Sequence, residues 1–149
     1  HTGDVGEIDA EGYLKITGRV KDIFKTTKGE YISPSTIEMK LSEDNNIEQV
    51  CVVGRGLTQP IALITLSLQA EKLNKIELKE YFEISLNSFN KNLANYEKIS
   101  QIVVLKTEWT VENNFLTPSM KIKRNTIESA YSKRYPEWES SLEKVIFVD

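Results

Sequence analysis

The sequence predicts an α+β fold: a small mixed sheet covered by helices and preceded by an N-terminal β-hairpin. Three observations carry that expectation. Apolar and polar residues alternate in short runs before residue 33. The apolar runs "VCVVG", "IALITLSL" and "QIVVL" have strand length and are rich in β-branched residues. A single long segment, 75–99, keeps apolar residues at near-helical spacing with no Pro or Gly. Helices laid on a sheet bury both kinds of surface.

Taken in order, residues 5–19 alternate around Glu11-Gly12, with Ile8 on one side and Tyr13, Leu14 and Ile16 on the other, a hairpin pattern. Residues 22–32 repeat it around Lys28-Gly29. "SPSTIEMKLSE" predicts a short helix capped by Ser33 or Ser35, with Glu38 at capping-box distance from Ser35. "EQVCVVGRG" and "PIALITLSL" are strands divided by a polar turn, "RGLTQ". In 75–99, Leu78, Tyr81, Phe82, Ile84, Leu86, Phe89 and Leu93 mark the helical repeat. "QIVVLKTEW" is a strand and "VENNFLTPS" a loop; "IKRNTIESAYSKRY" is a helix closed by Pro136, and "KVIFVD" a last edge strand.

The 149 residues suit one domain or two small ones, and the net charge of −3 argues against a general phosphate-backbone binder. No apolar run reaches membrane-spanning length, and the first residues lack a signal peptide's apolar stretch. The single cysteine, Cys51, excludes an internal disulfide framework and reads as a buried thiol in a reducing compartment. The single histidine, His1, leaves a Ser-His-Asp triad or a His-rich metal site hard to build. No metal ligands are expected in this chain. The missing initiator Met, and a first residue already inside a loop-and-strand pattern, predict a piece of something longer.

Chemistry must therefore come from lysine, arginine, carboxylates and backbone. Asp4 in a tight turn can accept hydrogen bonds from two adjacent sugar hydroxyls, and Arg19 at a strand end offers a fork of donors to phosphate or ribose oxygens. Lys121 on a loop can bring a point charge to a developing oxyanion. "LTPSMKIKR" sets cations at a helix N-terminus, where they oppose the macrodipole. No Gly-rich phosphate cradle is present.

Three stretches, "HTGDVGEID" (1–9), "GRVKDIFKTTKGEYISPSTIE" (18–38) and "LTPSMKIKR" (116–124), resemble, in the same order, the C-terminal domain of the adenylate-forming enzymes. That group includes acyl-CoA synthetases, luciferases and peptide-synthetase adenylation domains. "IFKTTKGEYISP" together with "LTPSMKIKR" is most similar to the long-chain fatty-acid branch. The resemblance implies a two-step ligase using ATP, Mg²⁺ and coenzyme A, in which a fatty-acid carboxylate forms acyl-adenylate and the CoA thiol then displaces AMP. It implies that residues 1–20 end a larger domain in a β-hairpin leading to a hinge. Residues 21–149 would then be a mobile C-terminal domain, inactive without its own N-terminal adenylation domain, which would hold most of the Mg²⁺ environment. Asp4 and Arg19 would bind the nucleotide, Lys21 would be the hinge, and Lys121 would act in adenylation. Gly29 would lie against the pantetheine arm, and Lys25 would act in the second step. Location would be cytoplasmic or loosely peripheral to a membrane.

Two departures stand out: Met120 replaces a frequent Gly before the loop lysine, and the Thr26–Gly29 turn is one residue longer than in the luciferase-like branch. The rival readings are a sister enzyme with another acid or a carrier-protein acceptor, and a non-catalytic module binding nucleic acid through "KIKR" and "SKRY". The acidic balance speaks against the last.

Overall fold

Alternation near the N-terminus becomes an antiparallel hairpin of β1 (Asp4–Ile8) and β2 (Leu14–Arg19), with a bulge between Val5 and Gly6. The computed structural model describes the backbone of residues 4–8 and 14–19, and backbone and side chains of 23–148. The expected turn at Glu11-Gly12, the hinge residue Lys21 and the boundary between residues 20 and 21 lie outside the described residues.

A second, two-residue-per-strand hairpin pairs β3 (Phe24–Lys25) with β4 (Tyr31–Ile32) around the expected Lys28-Gly29 turn. It leads into α1 (Pro34–Leu41). The main sheet has the order β5 (Ile47–Val53), β6 (Ile61–Leu66), β7 (Gln101–Leu105), β8 (Val145–Val148). The β5–β6 ladder is antiparallel and the next two are parallel. A small mixed sheet is thus what forms, with β8 the expected edge strand.

Two apolar layers cover it. Val50, Val52, Ala62, Ile64, Ile102 and Val104 face α1 and α3 (Lys75–Asn90). Cys51, Val53, Ile61, Leu63, Val103 and Leu105 face the other way, toward Trp109, Leu116, Ile127 of α4 (Arg124–Tyr131) and Trp138 of α5 (Tyr135–Ser140). Burial on both faces explains why β5 to β7 read as continuous apolar runs with little alternation.

Several helix boundaries differ from expectation, each for a local reason. Helix α3 starts with a capping box between Asn74 and Glu77 and buries Leu78, Phe82 and Leu86, each worth about 1.5–3 kcal/mol. It stops at Asn90 and does not continue to 99. The Asn90 side chain bonds the N–H and C=O of Ile99, both at 2.9 Å, and so closes the connection back on itself. Ile84, off the 78–82–86 stripe, is 71% exposed. Pro136 does not end a helix. It sits in the first turn of α5, where a missing N–H is harmless, after a 3₁₀ turn over Ser132–Arg134. A one-turn helix, α2 (Leu68–Glu71), has no counterpart among the sequence expectations. The N-cap of α1 is Ser33 with Pro34 following, and Glu38 makes no capping box with Ser35 because its carboxylate is engaged elsewhere.

Candidate functional site

Asp4 and Arg19, distant in sequence, are α-carbon partners in the first hairpin. The backbone register alone therefore brings the two expected nucleotide-binding positions opposite one another. Antiparallel pairing places the start of one strand beside the end of the other.

Lys25 stands on the second hairpin. Its α-carbon partner is Tyr31, and its ammonium lies 5.8 Å from the centre of that exposed ring. The turn closes through Gly29 N–H to Thr26 C=O and Thr26 N–H to Glu30 C=O, both 2.9 Å. Gly29 has φ +85°, and a Cβ there would meet only the Lys25 Cε at 3.7 Å. The backbone angle, not crowding, requires glycine at this position. Thr27 N–H donates to Leu57 C=O at 3.0 Å and fixes the turn to the loop after β5.

Lys121 stands on a third hairpin, hidden in what reads as a loop. Leu116 and Ile122 form an antiparallel bridge, and Thr117–Met120 turns between them. Met120 N–H donates to Thr117 C=O (2.8 Å), Thr117 N–H to Lys121 C=O (2.7 Å), and Lys121 N–H to Thr117 Oγ1 (3.0 Å). With its backbone satisfied at the base, the exposed Lys121 side chain projects outward, and among the described residues no acceptor engages its ammonium. Met120 carries φ +69°, so the residue that replaces the frequent glycine holds a left-handed conformation that costs a side-chain-bearing residue about 1–2 kcal/mol.

The other cations of this stretch are spoken for. Lys123 Nζ donates to Asn114 Oδ1 at 2.7 Å. Arg124 anchors the loop: its guanidinium grips both oxygens of Glu38 and also donates to Val52 C=O at 3.0 Å. Glu38 in turn accepts from Val52 N–H at 2.6 Å. Strand β5 is a sheet edge, and its Val52 groups point away from β6 into this pair. The ion pair thus completes hydrogen bonds that the edge itself leaves open. Arg134 meets Glu137 at 2.9 Å and lies 5.6 Å from the Trp138 ring. Cys51 is buried, as expected.

Beneath α4, burial and then the neighbouring Glu128 charge push the Tyr135 phenol far above its ordinary pKa. Its hydroxyl donates to Glu128 Oε1 at 3.2 Å. A groove of about 450 Å³ between α1 and α3, lined by Lys40, Asp44, Phe82 and Phe89 among others, contains none of the expected site residues. Among the described residues no cluster of three or more His, Cys, Asp or Glu could hold a metal ion, and no helix is long and apolar enough to cross a membrane.

Sequence reasoning missed Glu38 as a partner of Arg124 and the left-handed Met120. The first had a signal: a cation where the helix dipole disfavours one. The second was visible only as the departure from glycine.

Residues 21–137 match a family model described as the AMP-binding enzyme C-terminal domain. The chain is 30% identical to a long-chain-fatty-acid–CoA ligase 1 of Saccharomyces cerevisiae, over 87% of this chain and 22% of that protein. It is 32% identical to a long-chain-fatty-acid–CoA ligase 5 of Mus musculus, over 97% of this chain and 24% of that one. Among solved structures, the adenylation domain of a Mycobacterium chelonae carboxylate reductase superposes with a TM-score of 0.83 at 25% identity, over 94% of this chain and 23% of the other. A Mycobacterium tuberculosis fatty acyl CoA synthetase gives a TM-score of 0.58 at 25% identity, over 89% and 24%. The chain therefore spans about a quarter of the length of the relatives it matches.

Proposed function

This chain belongs to the AMP-binding enzyme C-terminal domain family, and we propose that it serves as the mobile C-terminal domain, residues 21–149, of an ATP-dependent long-chain fatty-acid–CoA ligase. Residues 1–20 would end the larger N-terminal domain and lead to a hinge at Lys21. The reading draws its acid and its thiol from the similarity to long-chain fatty-acid–CoA ligases.

In the first half-reaction a carboxylate oxygen of the fatty acid attacks the α-phosphorus of ATP, and the bond to pyrophosphate breaks. Asp4 and Arg19 would hold ribose and phosphate oxygens from facing positions of the first hairpin. Lys121 would bridge the carboxylate and the nucleotide, a fixed cation where negative charge gathers. In the second half-reaction the CoA sulfur attacks the acyl carbonyl, the C–O bond to AMP breaks, and the thiol proton is released. The second hairpin would then face the substrate, with the Gly29 turn against the pantetheine arm and Lys25 beside the reacting groups. Mg²⁺ would be held mainly by the N-terminal domain.

The observation that carries this reading is Lys121 itself, on a turn whose backbone is internally bonded and whose ammonium projects outward. That arrangement suits a cation that enters a site built by another domain. The test uses the full-length parent with Lys121→Ala. Fatty-acid-dependent ATP–pyrophosphate exchange should fall by about 10²–10³-fold, while thioester formation from supplied acyl-adenylate and CoA survives. Exchange near wild type would withdraw the role of Lys121.

The higher superposition with a carboxylate reductase adenylation domain favours a second reading. Here a different acid is activated, or the acyl group passes to a carrier-protein pantetheine. Mass spectrometry of products formed with free CoA and with carrier protein separates the two.

A further inference from the structure

We infer that Glu38 and Arg124 are a positioning pair for Lys121, needed in the adenylation half-reaction and dispensable in the thioester half-reaction. The inference rests on the reading of Lys121 given above.

The two hairpins that carry Lys25 and Lys121 have different bases. The Lys25 hairpin runs directly into α1, on which Glu38 stands. The Lys121 hairpin runs directly into α4, of which Arg124 is the first residue. One bidentate ion pair therefore joins the base of each hairpin to the other and to the open edge of β5 at Val52.

The two sides depend on it unequally. Helix α1 buries Pro34, Ile37 and Leu41 whether or not Glu38 is paired. The N-terminal leg of the Lys121 hairpin is held by buried Leu116 and by Phe115 stacked on Tyr131 at 6.3 Å. The C-terminal leg carries Lys121 and half-buried Ile122; Lys123 is tied back to the other leg, by its N–H to Phe115 C=O (2.9 Å) and its ammonium to Asn114 Oδ1 (2.7 Å), and makes no side-chain cap for α4. Arg124 is accordingly the deep anchor of the leg that bears the lysine. Loosening it tilts the hairpin, and the exposed ammonium at the far end of a long side chain moves most.

Stability alone is a poor reason for this pair. The Arg124 and Glu38 side chains are only 10% and 14% exposed, so their desolvation penalty offsets much of what the pair gains, even though it satisfies the Val52 N–H and C=O. What the guanidinium fork adds is direction: two parallel bonds to one carboxylate fix the plane from which the chain leaves for Lys121. Displacing a catalytic group by about 1 Å costs on the order of 10²-fold in rate.

The test uses the full-length parent with Arg124→Lys, which keeps the charge and loses the fork, and Glu38→Gln, which keeps the shape and loses the charge. In both, kcat for fatty-acid-dependent ATP–pyrophosphate exchange should fall about ten- to a hundredfold with KM values little changed. Thioester formation from supplied acyl-adenylate and CoA should stay close to wild type. In a Lys121→Ala background, Arg124→Lys should cause no further loss of exchange, because it acts through the lysine. If both half-reactions fell together with Tm, or if the losses added in the double variant, the pair would be structural only and the inference overturned. If Arg124→Lys fails to fold, Glu38→Gln and its own double variant with Lys121→Ala decide on the same criteria. Loss of exchange in Lys121→Ala without loss in either pair variant sinks this inference alone. Retained exchange in Lys121→Ala sinks the underlying reading.

Discussion

Replacing Gly54 by Ala probes how the Lys25 hairpin is attached to the sheet. Gly54 follows β5, and a Cβ built there would lie 2.9 Å from Cε2 and 3.2 Å from Cζ of Phe24, and 3.0 Å from Cα of Pro60. Carbon atoms rest at about 3.5–4.0 Å, so each contact is short by roughly half an ångström. Pro60 is backbone immediately before β6 and cannot yield. Phe24 is the first residue of β3 and is 3% exposed, so its ring must shift within a filled core or draw the hairpin with it. Overpacking of this kind costs about 1–3 kcal/mol. The lower entropy of alanine in the unfolded chain returns roughly 0.4–1 kcal/mol. Gly54 does not use a positive φ, so no backbone strain adds to the packing cost. The expected net loss is about 1–2 kcal/mol, and at roughly 2–4 °C per kcal/mol for a chain of this size Tm should fall by several degrees. Urea unfolding should give a lower midpoint at constant m. In a Phe24→Leu background the cost should shrink by at least about 0.5 kcal/mol, since the obstructing ring edge is gone. A Tm within about 1 °C of wild type, or an unchanged cost of the alanine in the Phe24→Leu background, would refute the account.

Two further predictions concern backbone strain and titration. Met120→Gly relieves about 1–2 kcal/mol of left-handed strain and adds about 0.5–1 kcal/mol of glycine entropy, so stability should hold or rise slightly. Met120→Val should lower Tm instead, and the reverse order in thermal melts would reject the strained turn. For Tyr135, the raised phenol pKa in the folded state means that its stabilising protonation is complete below the unfolded value near 10 and is lost as pH rises above it. Wild-type stability should therefore fall more steeply above pH ~10 than that of Tyr135→Phe, by up to about 1.4 kcal/mol per pH unit. Parallel slopes in urea unfolding across pH 9 to 11 (roughly the window around that value) would contradict the burial of a neutral phenol.

Much of the fold is legible because its signals are local. The Lys28-Gly29 turn follows from glycine's access to positive φ, and the Leu78, Phe82, Leu86 face of α3 from its period. The same period misplaces Ile84, which falls beside the stripe, and runs past Asn90, whose side chain captures Ile99. Pro136 reads as a stop because proline both follows and begins helices, and the residue alone does not say which. Of the three hairpins that carry the candidate site residues, the first two are legible and the third is not, because a single bridge between Leu116 and Ile122 has no periodicity to detect.

By itself the sequence determined where most turns and apolar faces arise, the lack of a second cysteine for an internal disulfide, and the motif order that marks the family. Only the tertiary structure decided which charges are solvated and which are spent inside. Glu38 and Arg124 are separated by 86 positions, and nothing near either one reveals the other. They meet because an edge strand presents a Val52 N–H and C=O that a carboxylate and a guanidinium together complete. Local pattern sets the elements, because dihedral preference and burial period act over a few residues. Pairing of charge across the core is set by where those elements come to rest.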